Sequence, residues 1–174
     1  MTSVIRIGVA VAVPEPHASV LTGWRHRIGD PGAGKIPPHV TLLPPTDLEA
    51  DQLELIEKHL TEAAASVPPF TMRLSGTGTF RPVSQVVFVQ VSTGIAECEL
   101  LEGAVRRAPI ERVLAYPYHP HVTVGHDVSD SQLDDAFAGL HEFAAEFEVD
   151  HFRMYSQDPD GAWHTRREFG LAGR

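Results

Sequence analysis

The word Pro-His-Val-Thr followed by an aliphatic residue occurs twice in this chain, as Pro38-His39-Val40-Thr41-Leu42 and as Pro120-His121-Val122-Thr123-Val124. No other feature constrains the fold so tightly, because each copy heads the same order of events. After the first, Thr46-Asp47-Leu48-Glu49 has the form of a helix capping box, and Leu53, Ile56, Leu60 and Val67 follow at helical spacing. An extended stretch from Phe70 to Phe80, alternating at Phe70, Met72 and Leu74, then precedes the continuous apolar run Val86 to Val91. After the second copy, Ser129 and Gln132 repeat the capping spacing, and Leu133, Phe137 and Leu140 mark a shorter helix. Phe147 and Val149 begin an alternating strand, Asp158-Pro159-Asp160-Gly161 supplies turn chemistry, and Ala162 to Leu171 returns as its hairpin partner. The repeated unit reads as strand, helix, hairpin.

Between the units, Ile95 to Arg107 reads as a connecting helix, and Pro16 to Ile28 as another before the first. The run Val4 to Val13 contains Arg6, follows no basic leader and precedes no small-residue cleavage site, so it reads as a first strand rather than a signal segment. No low-complexity linker separates the halves. The expected architecture is therefore α+β: a single two-lobed domain over residues 1–174, with antiparallel-rich sheets facing each other across a central cleft and helices outside. A length of 174 residues suits one domain, and two units are too few for a solenoid.

Composition narrows the partners. With 43% apolar and 21% charged residues the chain is ordinary for a globular protein, and no run approaches the roughly 18 apolar residues of a membrane span. A formal net charge of −9 argues against a broad basic face for extended nucleic acid, and leaves short or single-nucleotide ligands open. Cys98 is the single cysteine, so no intramolecular disulfide forms; this fits a reducing, cytoplasmic setting. A monomer is expected.

Residues two apart in a strand share a face, so His39 projects with Thr41 and His121 with Thr123. If the two units pack about a pseudo-two-fold axis, two proton-transfer groups face each other with two hydroxyl donors between them. In-line displacement at phosphorus needs that arrangement, since the incoming oxygen loses a proton while the leaving oxygen gains one. Imidazole titrates near pH 6.5, so one ring can be neutral and the other charged, and hydroxyls can donate to the non-bridging oxygens. No metal or other cofactor is needed. A lone His-x-Thr carries no weight in a chain with 10 histidines. The whole word, repeated at the head of a repeated unit, does.

These residues resemble the signature of the two-histidine (2H) phosphoesterase superfamily, also called the LigT-like or 2′–5′ RNA ligase family, whose mark is a pair of His-x-Thr/Ser-hydrophobic motifs. Here they are His39-Val40-Thr41-Leu42 and His121-Val122-Thr123-Val124, and the likeness extends over nearly the entire chain. The resemblance implies a bilobal α+β fold with the site between the lobes. It implies hydrolysis of 2′,3′-cyclic phosphates to 2′-phosphates, 2′–5′ RNA ligation, or hydrolysis of related cyclic nucleotides. It makes His39 and His121 the acid–base pair, with His121 activating water and His39 protonating the departing 3′-oxygen, and gives Thr41 and Thr123 the phosphoryl oxygens. The acidic chain suits a small nucleotide or short RNA end carrying a cyclic phosphate better than a long RNA. A nucleotide-binding module with little turnover is the alternative of a different class.

Other candidates are weaker. Gly29-Asp30-Pro31-Gly32-Ala33-Gly34-Lys35 has most of a P-loop, yet Ile36, Pro37 and Pro38 stand where Ser or Thr and a helix should follow. It reads as a surface loop that could carry Lys35 to a substrate phosphate. His119 and His126 flank His121 without a recognised metal spacing. Tyr116 and Tyr118 precede the second motif and are candidates for stacking on a base. Phe80 and Arg81 end one strand, and Arg153 and Tyr155 hold the matching place in the second unit, so all four are candidates for the cleft wall. Trp163 reads as a strand anchor.

Overall fold

A computed structural model describes residues 3–172. The elements run β1 (Val4–Ala12), α1 (His17–Arg27), β2 (His39–Glu49), a 3-10 turn (Ala50–Gln52), α2 (Leu53–Ala65), β3 (Phe70–Thr79), β4 (Val86–Thr93), α3 (Ile95–Arg106), β5 (His121–His126), α4 (Asp130–Gly139), β6 (Ala144–Val149), β7 (His151–Gln157) and β8 (Trp163–Gly170). The strands form an antiparallel array in the order β6-β3-β4-β5-β2-β1-β7-β8. The α+β class and the duplicated, antiparallel layout follow as expected.

Two half-sheets, β6-β3-β4-β5 and β2-β1-β7-β8, meet where β2 pairs with β5 through the one registered pair Val40↔Val122. The sequence explains why the seam is so short. Pro38 and Pro120 stand immediately before the two histidines and have no N–H to extend a ladder. The sheet is also curled: Val149 pairs with Phe70 near one edge, and two residues later His151 pairs with Gly170 at the other.

Reversing the strand order superimposes β2 on β5, β1 on β4, β7 on β3 and β8 on β6. The true repeat is therefore strand, helix, histidine strand, helix: β1-α1-β2-α2 against β4-α3-β5-α4. This differs from the strand-helix-hairpin unit expected from sequence, because β3 and β7 each leave their own unit and pair with the first strand of the other. The helices exchange in the same way. Helix α1 leads into β2 but packs on β5, and α3 leads into β5 but packs on β2.

Local expectations fared unevenly. Ser129 and Gln132 form a complete capping box at α4. Thr46 does not cap a helix: β2 runs on to Glu49, and the Thr46 hydroxyl donates to Pro44 O at 2.7 Å. The single expected strand beginning at Phe147 is two, β6 and β7, broken at Asp150, while the Asp158–Gly161 turn joins β7 to β8 as read. No helix is long and apolar enough to cross a membrane among the described residues. Cys98 is fully buried in α3, where burial and the flanking Glu97 and Glu99 push its thiol up to about 12, so it is a packing residue.

Gly139 closes α4 under Trp24; a Cβ there would stand 2.0 Å from the indole. Gly139→Ala is expected to cost about 1–3 kcal/mol by overpacking. Urea unfolding followed by circular dichroism checks this.

Candidate active site

Val40 and Val122 are fully buried under the helices, and β2 and β5 both begin with an alternation in which the valine position is buried and the His and Thr positions are partly open. The antiparallel pair Val40↔Val122 sets His39 opposite Thr123 and Thr41 opposite His121. All four side chains consequently leave the seam on the same face and line one cleft of about 1220 Å³. The histidines occupy diagonal positions of the pair, which in regular antiparallel geometry lie about 7–8 Å apart.

The rings are held identically. His39 Nδ1 lies 2.7 Å from Pro37 O, and His121 Nδ1 lies 2.6 Å from His119 O. A carbonyl only accepts, so the proton sits on Nδ1 in both rings and Nε2 is left with a free lone pair. Each ring also has an aromatic wall. Trp163 lies against His39 with centroids 4.5 Å apart, and Phe80 meets His121 edge-on at 4.9 Å with Phe88 at 5.2 Å.

These walls explain the electrostatics. Desolvation pushes His39 down from 6.5 to about 4, assisted by the positive charges of Arg25 and of His121 when protonated and opposed by the Pro37 carbonyl. Desolvation also lowers His121, with His119 adding to the effect and the His119 carbonyl opposing it. Both rings are therefore neutral at pH 7. The consequence for folding has a definite sign. As pH falls from 6.5 towards 4, the unfolded chain takes a proton at residue 39 that the folded chain refuses, so stability declines over that window.

Arg25 and Asp30, which sequence reasoning passed over, organise the loop before His39. Arg25 is 5% exposed and Asp30 6%, and Arg25 Nε donates to Asp30 Oδ2 at 3.2 Å. Arg25 Nη1 donates to Ile36 O at 2.6 Å and Gly32 N to Asp30 Oδ1 at 2.8 Å, which fixes the Gly29–Ile36 segment as a closed loop rather than a phosphate cradle. Only the i, i+5 spacing of opposite charges hinted at the pair. Lys35 lies on the cleft rim, with Nζ donating to Asp160 O at 2.8 Å.

The remaining candidates divide. Phe80, Tyr116 and Tyr118 line the cleft. The Tyr118 hydroxyl, however, donates to Thr41 O at 2.7 Å, and burial raises its pKa, so it fastens the Arg107–Pro120 connection to β2 beside the site. Arg81, Arg153 and Tyr155 do not line it. Arg81 turns to Asp134 at 2.9 Å and to Thr79; Arg153 pairs with Glu168 at 3.2 Å; Tyr155 is 2% exposed behind Trp163, at 5.1 Å between rings. Trp163, expected to anchor a strand, opens β8 opposite Gln157 and also forms the wall of His39. His119 and His126 sit at the cleft edge, and among the described residues no three His, Cys, Asp or Glu side chains converge as a metal-ligand set.

Paired imidazoles on the seam of a curled antiparallel sheet define a two-histidine, LigT-like phosphoesterase fold. Residues 13–161 match the model of the 2′-5′ RNA ligase superfamily, and the chain belongs to that family. A protein of Halalkalibacterium halodurans, provisionally named a phosphoesterase, is 32% identical over 166 residues, covering 94% of this chain and 96% of its own. LigT of E. coli in its apo form shares the fold with a TM-score of 0.66 at 18% identity, over 98% of this chain and 99% of LigT. Its complex with 3′-AMP gives 0.65 at 19% identity, over 97% and 99%.

Removing one member of the buried ion pair leaves the other uncompensated. Asp30→Ala is expected to destabilise the fold by about 3–5 kcal/mol, and the double replacement Arg25→Met/Asp30→Leu by much less. Chemical denaturation of the three variants measures both.

Proposed function

We infer that this protein hydrolyses 2′,3′-cyclic nucleotide phosphodiesters to 2′-phosphates, without a metal, using His39 and His121 as base and acid. The observation that carries this reading is the seam: one registered strand pair sets two Nδ1-protonated imidazoles and two threonine hydroxyls around one space. Thr41 and Thr123 donate to the non-bridging oxygens, on which charge accumulates. The likeness to LigT, which has been captured with 3′-AMP, supports a nucleoside phosphate as the occupant, and the net charge of −9 supports a small one.

The unequal depression of the two rings supports a division of the two roles. An anion entering the cleft draws in a proton, which goes to the ring that holds it more firmly. His39 is the more strongly depressed, so His121 takes the proton and His39 stays neutral. His39 then removes the proton of water and His121 protonates the departing 3′-oxygen, the reverse of the division expected from the family resemblance.

His39→Ala and His121→Ala are each expected to lower kcat/KM by about 10²–10⁴. The wild-type kcat/KM profile is expected to be a bell on the acid side of neutrality: its lower limb near pH 4 from the base His39, and its upper limb below 6.5 from the acid His121. A cyclic substrate with sulfur in place of the 3′-bridging oxygen separates the roles, because a thiolate leaves without protonation. It should restore His121→Ala and not His39→Ala; the opposite pattern would reverse the assignment. Phosphorus NMR of the products distinguishes a 2′-phosphate from a 2′–5′-linked oligonucleotide, and unchanged substrate would defeat the hydrolytic reading.

A further inference from the structure

Two prolines stand directly before His39, and their effect on the ring is mechanical. Pro37 and Pro38 bring no N–H, so the chain leading into β2 cannot be fastened there by its own donors. It is held by its carbonyls instead. Lys35 O accepts from Trp163 N at 2.9 Å, Ile36 O from Arg25 Nη1 at 2.6 Å, Pro37 O from His39 Nδ1 at 2.7 Å and Pro38 O from Val13 N at 3.1 Å. The pyrrolidine rings fix φ at residues 37 and 38 and press the residue before each into extended backbone, which makes Ile36-Pro37-Pro38 a stiff strut. A displacement at Ile36 O therefore carries Pro37 O with it.

Arg25 is the one charged donor of the four, and a charge-assisted bond is shorter and stronger than a neutral one. Its guanidinium is built into the protein. The residue is 5% exposed, Nε donates to Asp30 Oδ2 at 3.2 Å, and a Cβ on Gly32 would stand 2.6 Å from Nη2, so the loop backbone closes over it. Burial is the main cause of the lowered His39 pKa, the Pro37 carbonyl opposes it, and the charge of Arg25 adds to burial, so the same side chain helps to keep the ring neutral. The other half of the molecule has no such brace. Tyr118 is the counterpart of Ile36 and His119 stands in the place of Pro37; the Tyr118 hydroxyl goes to Thr41 O, and among the described residues no side chain donates to Tyr118 O.

We propose that Arg25 is a positioning residue for His39: by fixing Ile36 O it sets the Pro37 carbonyl that keeps the His39 proton on Nδ1 and its Nε2 lone pair free in the cleft. This rests on reading His39 as the base that takes a proton from water. A neutral imidazole carries its proton on either nitrogen, and the bond from Nδ1 to a carbonyl decides which. With the strut released, the ring would share its proton between the two nitrogens and turn about its own bonds, so that fewer molecules present Nε2 to water at any moment. Asp30 serves the same end at one remove, by holding the other prong of the guanidinium. The effect falls on turnover and not on binding, because Arg25 acts through the ring.

The test compares wild type with two variants. Arg25→Met/Asp30→Leu removes both charges together, and Arg25→Lys keeps the charge but has one nitrogen where the guanidinium sets two on separate acceptors. Nitrogen-15 NMR of the histidine rings near neutral pH, with the His39 signals assigned from the spectrum of His39→Gln, reads the tautomer without turnover. In wild type His39 should be protonated on Nδ1 alone; in both variants its signals should move towards the tautomer mixture of free imidazole while those of His121 stay in place. With 2′,3′-cyclic AMP as substrate, kcat should fall about ten- to a hundredfold and KM change little. If the double variant does not fold, Arg25→Lys carries the comparison alone. An unchanged His39 tautomer in a folded variant, or an equal change at His39 and His121, would overturn the positioning role. A tautomer change confined to His39, in a protein whose wild type leaves the cyclic nucleotide intact, would instead refute the hydrolytic reading and keep the positioning role.

Discussion

The seam between β2 and β5 decides almost everything about this molecule. A sheet that continued through that point with a full ladder would be a wall; one that stopped there would be two separate sheets. One registered pair, Val40↔Val122, holds the halves together while the prolines before each histidine stop the ladder from lengthening. Because side chains alternate along a strand, burying the two valines against the helices obliges His39, Thr41, His121 and Thr123 to face the opening. The core thus specifies the site through register: a one-residue slip of either strand would turn its imidazole and threonine into the core and its valine into the cleft.

The same seam accounts for the state of the rings. Each imidazole is pinned by a backbone carbonyl two residues upstream and walled by aromatic side chains, which desolvate it. The carbonyl favours the protonated form and the burial disfavours it, and burial prevails at both rings. With both rings neutral at pH 7 there is no standing charge repulsion between them.

The sequence made the paired motif legible because a repeated five-residue word carries its own control: each copy tests the other. The helices at Leu53 and Leu133, the Ser129 cap and the Asp158–Gly161 turn were legible for similar reasons, since periodicity and turn chemistry are local. What escaped was long-range. Nothing in residues 70–79 or 151–157 says that β3 and β7 will cross to the other unit, and Thr46 met the capping pattern although β2's pairing with β1 holds it extended. Arg81 and Arg153 stand where anion ligands would in the sequence, but pair with Asp134 and Glu168, and Trp163 both opens β8 and lies against His39. Arg25 and Asp30 were invisible because a buried ion pair resembles any other two charges in a loop-flanking stretch.

The exchanged helices have a consequence for where such a molecule came from. A polypeptide of half this length would carry one histidine strand and a helix that fits behind a different copy of that strand, leaving its own apolar face bare. Two such copies would cover one another only by trading helices, and would contribute one imidazole apiece to a shared crevice. Joining them end to end converts a symmetric pair into one chain whose two margins are free to differ.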